Sequence, residues 1–273
     1  MISQKKTKLL ILVATHKPCL LPTDDIFVPI HCGRAISRLD SELLDWMRAN
    51  TIGDDTGENI SSLNSYFCEL TALYWAWKNY NQLGTPDRIG LCHYRRFFMD
   101  LGNEKEITVP VHYLNKTIRE QFNRHHNPEE LNRAISLLPS QNLRDDIEMY
   151  LNQNKGYFFN MFVLPKEVFF EYCEIIFTVL FKLIEICSWK SLSSYQQRMP
   201  GFIAERLTGG IIYHLHKARH IPIHETLTIV PIFNSYQLTK YQIGMTAYLS
   251  KHISNFPKAY SLFLSAQTHM LNH

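Results

Sequence analysis

The stretch Asp87-Arg-Ile-Gly-Leu-Cys-His-Tyr-Arg-Arg-Phe-Phe98 decides the fold. A short apolar run, Arg88 to Cys92, stops abruptly at His93, Tyr94, Arg95 and Arg96. Gly84-Thr-Pro-Asp87 just before it breaks a helical pattern, so the order is helix then strand, as in α/β units. In open α/β sheets ligands bind beyond the carboxyl ends of the strands. Two guanidiniums there offer planar forks of donors that match phosphate oxygens. The strand end therefore reads as an anion site or, at its blandest, as a solvated basic turn.

Working outward, Leu9 to Ala14 is an unbroken aliphatic run between charged flanks, as expected of a strand buried on both faces of a parallel sheet. Thr15-His16-Lys17-Pro18 is the loop at its carboxyl end. Ile26 to Ile30 reads as a second strand leading to His31-Cys32-Gly33, and Asp40 to Ala49 as a short helix. The loop from Gly53 to Ser61 is rich in turn formers and side-chain oxygens. From Tyr66 to Tyr80 the residues Tyr66, Leu70, Leu73 and Trp77 recur at helical spacing, with Asn64 or Ser65 as N-cap and Glu69 in the first turn. Residues 100–155 look polar and irregular, with helical pieces at Ile118 to His125 and Pro128 to Leu138, and read as an insertion that caps a site. Tyr157 to Leu164 reads as one strand, Val168 to Ile186 and Gly201 to Lys217 as helices, Ile221 to Pro231 as a last strand, and Tyr241 to His273 as amphipathic helices. The expected organisation is one α/β domain over 1–240 and a helical C-terminal extension over 241–273.

Bulk composition narrows the function classes. The 273 residues suffice for a large core, and 14 Tyr and 16 Phe make an aromatic-rich chain. A net charge of +3 is too weak to argue for nucleic acid, although a local basic pocket would suit a polyanionic small molecule such as a nucleotide. Cysteines at 19, 32, 68, 92, 173 and 187 form no CxxC pair or dense framework, which fits a reducing, cytoplasmic setting. The longest apolar stretch, Val168 to Cys187, is interrupted by Glu171, Glu174, Lys182 and Glu185 and does not read as a spanning helix.

Three strand-end loops share a chemical character: Thr15-His16-Lys17, Asp54 to Asn59, and His93 to Arg96. One lysine and two arginines would neutralise a diphosphate, while Asp54, Asp55, Thr56 and Asn59 offer groups for a ribose or a base edge. Asp54-Asp55 alternatively suits a divalent cation, Mg²⁺ or Mn²⁺, shared with a substrate phosphate, or reads as a pair of solvated turn carboxylates. His214, His216, His220 and His224 straddle a helix end and a strand start with no cysteine nearby, a poor zinc pattern. His125-His126 reads as solvated surface in the capping segment, with substrate contact as the alternative. Glu205, one turn into a helix, is the natural general base if it faces the cleft. Arg206 is adjacent, and neighbours on a helix diverge by about 100°, which points to different partners, with a salt-bridged surface pair as the alternative. Asn160, inside the apolar run Tyr157-Phe-Phe-Asn-Met-Phe, requires a hydrogen-bond partner: a sugar hydroxyl or the backbone.

The ordered motifs Ala14-Thr-His-Lys17, His31-x-Gly33, Asp54-Asp-Thr-Gly-Glu-Asn-Ile-Ser61, Asn64 through Asn79, Ile89-Gly-Leu-Cys-His-Tyr-Arg-Arg-Phe97, Asn160-Met-Phe and Gly201-Phe-Ile-Ala-Glu-Arg206 carry a resemblance. Over about residues 8–232 the chain resembles the bacterial glycosyltransferases of uncharacterised-domain type encoded in capsule, exopolysaccharide and O-antigen clusters, some regarded as galactosyl- or galactofuranosyltransferases. The resemblance implies an α/β, GT-A-like (Rossmann-like) fold with a mostly parallel central sheet flanked by helices, a helical insertion and a helical tail. It implies hexose transfer, galactose or galactofuranose favoured, from a UDP-sugar to a growing, lipid-linked surface polysaccharide, with inversion preferred, at the inner face of the cell membrane and in peripheral contact with it. The donor residues it implies are Thr15, His16, Lys17, His31, Gly33, Asp54, Asp55, Asn59, Asn64, His93, Tyr94, Arg95 and Arg96. Glu205 and Asp55 are the implied bases, and Asn160, Met161 and Arg206 the acceptor or sugar contacts. Such enzymes usually place Asp-x-Asp after the central strand to hold a metal, and here His93-Tyr-Arg-Arg96 stands in that place. Cationic side chains would then replace the cation and no metal is required, with Mn²⁺ or Mg²⁺ as the alternative. The rival expectation is a non-catalytic sugar-binding scaffold of a polysaccharide assembly complex.

Overall fold

The computed structural model describes residues 8–19, 21–22, 24–186 and 193–229. The aliphatic run near the start forms β1 (Leu9–Thr15), buried from Leu10 onward. On one side it pairs in parallel with β2 (Phe27–His31), which pairs in parallel with β3 (Ile52–Gly53). On the other side it pairs in parallel with β4 (Arg88–His93). The chain then turns back through β5 (Phe97–Phe98) into β6 (Ile107–Tyr113), and later supplies β7 (Lys155–Tyr157), β8 (Phe162–Pro165), β9 (Ile223–Thr226) and β10 (Thr228–Ile229). The main sheet has the order β3-β2-β1-β4-β8-β6-β7, with β9 also on β6, and β10 pairs with β5 beside it. Within the main sheet β7 and β8 oppose the other strands, so it is mostly parallel.

Helices flank the sheet. They are α1 (Ser41–Asn50), α2 (Asn64–Phe67), α3 (Leu70–Lys78), α4 (Ile118–His125), α5 (Pro128–Ser136), α6 (Gln141–Leu151), α7 (Lys166–Ile186), α8 (Ser194–Gln197) and α9 (Met199–Arg219). Their starts follow local chemistry: Asp40 caps α1, Thr117 and Glu120 form a reciprocal capping box on α4, and Asn127 with Pro128 opens α5. Successive residues of β1 point to opposite faces. Leu10 and Leu12 join the large core against α3, α7 and α9, whereas Ile11 and Val13 join a smaller one with Phe97, Phe98 and Met161. Aromatic packing ties α3 to α7, where Trp77 stacks on Phe177 at 5.8 Å between ring centroids and Tyr74 meets Phe177 edge-on at 5.0 Å. Among the described residues no helix is long and apolar enough to cross a membrane.

Four expectations change. The helix expected from Tyr66 to Tyr80 is broken at Cys68, whose φ of 51° and ψ of −130° separate α2 from α3. The strand expected from Tyr157 to Leu164 is β7 and β8 with a turn between them, because Phe159 and Asn160 both have positive φ. Residues 100–155 are not only a capping insertion: they contribute β6, which pairs within the sheet with β7, β8 and β9. Pro110 hides that strand in the sequence, since proline cannot donate to a ladder. The last strand is likewise divided into β9 and β10. The expected helices over 241–273 lie outside the described residues.

Helix α9 approaches α6 closely because Gly209 has no side chain. A Cβ there would collide with the hydroxyl and ring of Tyr150, which is buried and accepts a hydrogen bond from the Tyr157 amide at 2.7 Å. Alanine would ordinarily favour a helix by about 1 kcal/mol over glycine. Gly209→Ala is nevertheless expected to lower stability in urea denaturation, by about 1–3 kcal/mol from overpacking; an unchanged or raised midpoint would refute this account of the α6–α9 contact.

Candidate functional site

The carboxyl ends of β1, β2 and β4 open on one side of the sheet, where they border a cleft of about 690 Å³. This is ordinary for a small-ligand site in an open α/β fold. Its walls are Thr15 and His16 after β1, Cys32 after β2, the break between α2 and α3 with Asn64, Cys68 and Glu69, the His93–Arg96 turn, Phe159–Asn160, and Arg198, Phe202 and Glu205 from the α8–α9 segment.

The Phe159–Asn160 turn joins these walls. His93 Nε2–H donates to the Phe159 carbonyl at 2.6 Å. The Phe159 amide donates to Glu205 Oε1 at 2.6 Å, and the Arg96 guanidinium lies 4.2 Å from the centroid of the Phe159 ring. Asn160, 2% exposed, donates to Glu69 Oε1 at 2.7 Å and accepts from Thr208 at 3.1 Å. Its partners are thus side chains of α9 and of the α2–α3 break, rather than the backbone alternative. Two consecutive non-glycine residues with positive φ are rare, and Asn tolerates that region better than most residues.

The cleft is cationic at its rim. Arg38, Arg95, Arg96 and Arg198 line it, against the carboxylates of Glu69 and Glu205. Among the described residues Arg38 and Arg95 have no carboxylate partner. Arg198 Nε donates to Cys68 Sγ at 3.3 Å, and burial pushes that thiol up to about 11, so it stays neutral. Burial, then Lys17, Arg95 and Arg198, hold the His16 imidazole below its usual value. A neutral imidazole and four guanidiniums around one cavity favour an anionic ligand.

Of the residues expected at a site, Thr15, His16, Asn64, His93, Tyr94, Arg95, Arg96, Asn160 and Glu205 line this cleft. Others serve the scaffold. Asp54 is fully buried and accepts from the Gly33 amide at 2.6 Å, the Arg34 amide at 3.1 Å and the Ser61 hydroxyl at 2.5 Å, and Asp55 pairs with Arg34. Neither carboxylate of the expected metal or base pair borders the cleft. Gly33, with φ of 69°, lies where any Cβ would strike the Asn64 side chain. His31 and Met161 are buried, and Asn59 bonds within its own loop, to Gly57 and Ser61. Lys17 stands outside the cleft lining, with its ammonium 5.8 Å from the Tyr94 ring. Arg206 and Glu205 form the salt-bridged alternative, in a largely buried setting rather than at the surface: the long Arg206 side chain curls back to pair with Glu205 Oε2, also donates to Gln121, and lies over the Phe158 ring at 5.1 Å.

The four histidines at 214, 216, 220 and 224 are dispersed. His214 pairs with Asp146, His216 bonds to the Ile221 carbonyl, and His224 contacts Asp100. Among the described residues no group of three His, Cys, Asp or Glu is arranged to hold a metal ion. Sequence reasoning missed Glu69, Arg38 and Arg198. Glu69 resembled an ordinary first-turn acid, and only the backbone reversal at Cys68 turns it toward the cleft; Arg198 carried a signal, standing just before the Pro200-Gly201 helix start.

Fold and cleft define a mixed α/β protein with an anion-suited site at its strand ends. The chain belongs to the family described as domain of unknown function DUF4422, whose model matches residues 10–109 and 101–218. Its structure is similar to that of the WbbM bifunctional glycosyltransferase in the apo state, with a TM-score of 0.72 and 25% sequence identity. The match covers 84% of this chain and 46% of that one, so the chain spans less than half of that protein. No curated protein matches the chain.

The turn's bonds give a direct test. Asn160→Ala leaves Glu69 Oε1 and the Thr208 hydroxyl short of a partner and puts alanine in the left-handed region. Together these should cost about 2–4 kcal/mol in chemical denaturation; a loss below ~0.5 kcal/mol would show that the bonds do not hold the turn.

Proposed function

We propose that this protein is a GT-A-like glycosyltransferase, a single domain over 1–240, that moves a hexose from a UDP-sugar to a growing surface glycan. The observation that carries the reading is the cleft at the strand ends, where Arg95, Arg96, Arg38 and Arg198 meet two carboxylates. The similarity to a bifunctional glycosyltransferase supports it. An acceptor hydroxyl attacks the anomeric carbon, the bond from that carbon to the β-phosphate oxygen breaks, and UDP leaves with the electron pair. The guanidiniums stabilise the charge that develops on the diphosphate, as fixed cations aimed at a leaving group do.

The proton of the acceptor hydroxyl passes to a carboxylate. Glu205 has Oε1 taken by the Phe159 amide and Oε2 by Arg206. Glu69 gives one oxygen to Asn160, and its other oxygen has no partner among the described residues. We therefore assign the base to Glu69, in preference to Glu205 or Asp55, and give Glu205 the positioning of the Phe159 turn. With Glu205 committed at both oxygens, the described cleft residues offer a cation one open carboxylate oxygen, that of Glu69, and no step is assigned to a metal. Galactose or galactofuranose, a lipid-linked acceptor, inversion of the anomeric centre and a peripheral place at the inner face of the cell membrane complete the proposal on the strength of the motif resemblance.

Removing one guanidinium from a charge-assisted phosphate contact should cost about 1.5–3 kcal/mol. Arg95→Ala and Arg96→Ala are accordingly expected to weaken UDP binding by about tenfold or more in calorimetry while leaving the thermal transition in place; unchanged UDP affinity in both would sink the diphosphate role. Glu69→Gln should keep UDP affinity and reduce transfer by about 10²–10⁴-fold, the usual worth of a general base. Transfer retained in Glu69→Gln but lost in Glu205→Gln would return the base to Glu205.

A further inference from the structure

The α8–α9 wall of the cleft continues outward as a cluster of aromatic rings. Phe202 lines the cavity. His126, at the end of α4, stacks on it at 4.5 Å between centroids and 27° between planes. Tyr195 packs against both, 5.2 Å from Phe202 and 6.2 Å from His126, the latter nearly parallel at 18°. Despite two ring neighbours, Tyr195 is 56% exposed. Ser194 and Gln197, beside it on α8, border the same cavity.

We propose that Tyr195, backed by Phe202 and His126, is the shelf on which a neutral sugar ring of the acceptor glycan stacks. The assignment rests on the glycosyltransferase reading and deepens it by locating the acceptor. A pyranose or furanose ring has an apolar C–H face and a hydroxyl edge, and a half-exposed aromatic ring flanked by Ser194 and Gln197 offers the complement to each. Charge separates this wall from the other. The His93–Arg96 turn carries the guanidiniums that suit a diphosphate, whereas the shelf is uncharged: burial, then Arg206 and His125, holds the His126 imidazole down at about 4, so it is a neutral ring at neutral pH. Arg198, 5.3 Å from the Phe202 ring centroid, stands at the junction of the two. Position agrees with chemistry: Phe202, which backs Tyr195, and Glu205 are one turn apart on α9, and both line the cavity that also holds Glu69, the assigned base.

The test uses the full chain, saturated with UDP, and saturation-transfer NMR titrations with the methyl glycosides of galactopyranose, galactofuranose, glucose, mannose, rhamnose and N-acetylglucosamine. Wild type is expected to bind at least one of them. Tyr195→Ala should weaken that binding by about tenfold, the worth of one aromatic contact, while Tyr195→Trp keeps it within about threefold and UDP affinity changes in neither. Three results would overturn the shelf: no glycoside bound by wild type, equal glycoside affinity in Tyr195→Ala, or a parallel loss of UDP affinity in that variant. Glycoside binding that depends on Tyr195 in a wild type unable to bind UDP would support the shelf and remove the transferase reading instead.

Discussion

The left-handed turn at Phe159 and Asn160 is the constraint on which the cleft depends. Holding two such residues costs about 1–2 kcal/mol each, so the conformation persists only because its surroundings demand it. They do so through the carbonyl and amide of Phe159 and both ends of the Asn160 amide, each hydrogen-bonded to a different side chain. Those partners sit at the end of β4, on α9 and at the break before α3. One turn therefore fixes three walls of the cavity relative to one another, and three of the four side chains that hold it, His93, Glu69 and Glu205, line the site. A residue that relaxed this turn would release Glu69, Glu205 and Arg96 together.

The same logic sorts the carboxylates. Asp54 accepts from three donors inside the protein, and buried charge so satisfied serves as a clasp, here for the Gly33–Arg34 backbone. Asp55 is paired with Arg34, and Glu205 is committed at both oxygens. Asp55 and Glu69 each retain an oxygen with no donor among the described residues, and of the two only Glu69 faces the cavity. Residue type does not distinguish these four acids; the donors around each and its place relative to the cavity do. The arginines sort in the opposite sense, because Arg206 is walled in by Phe158, Glu205 and Gln121 while Arg95 and Arg38 reach into the cleft with no acid beside them.

Much of this fold is legible in the sequence, and for physical reasons. β1 and β4 announce themselves as aliphatic runs buried on both faces, and α4, α5 and α9 by caps and a Pro-Gly start that act within one turn of chain. That the Arg95-Arg96 pair at a strand end would line a cleft was readable because strand ends in such sheets converge. What escaped is long-range. Glu69 meets Asn160 across 91 residues, His93 meets Phe159 across 66, and Phe159 meets Glu205 across 46. These contacts set the positive φ values that split an expected helix and an expected strand, and local periodicity carries no trace of them. The Glu205–Arg206 pair was open between two readings, and the flexible Arg206 side chain settles it by overriding the angular spacing of its helix.

The central claim is that nucleotide diphosphate occupies the cleft between the β4 turn and the Phe159–Asn160 turn. Hydrogen–deuterium exchange with and without UDP tests it most directly. The account predicts slowed exchange confined to the backbone around 14–17, 93–96 and 158–161. Unchanged exchange there, with protection instead at the apolar groove lined by Val28, Ile52 and Trp75 on the sheet's far edge, would contradict it.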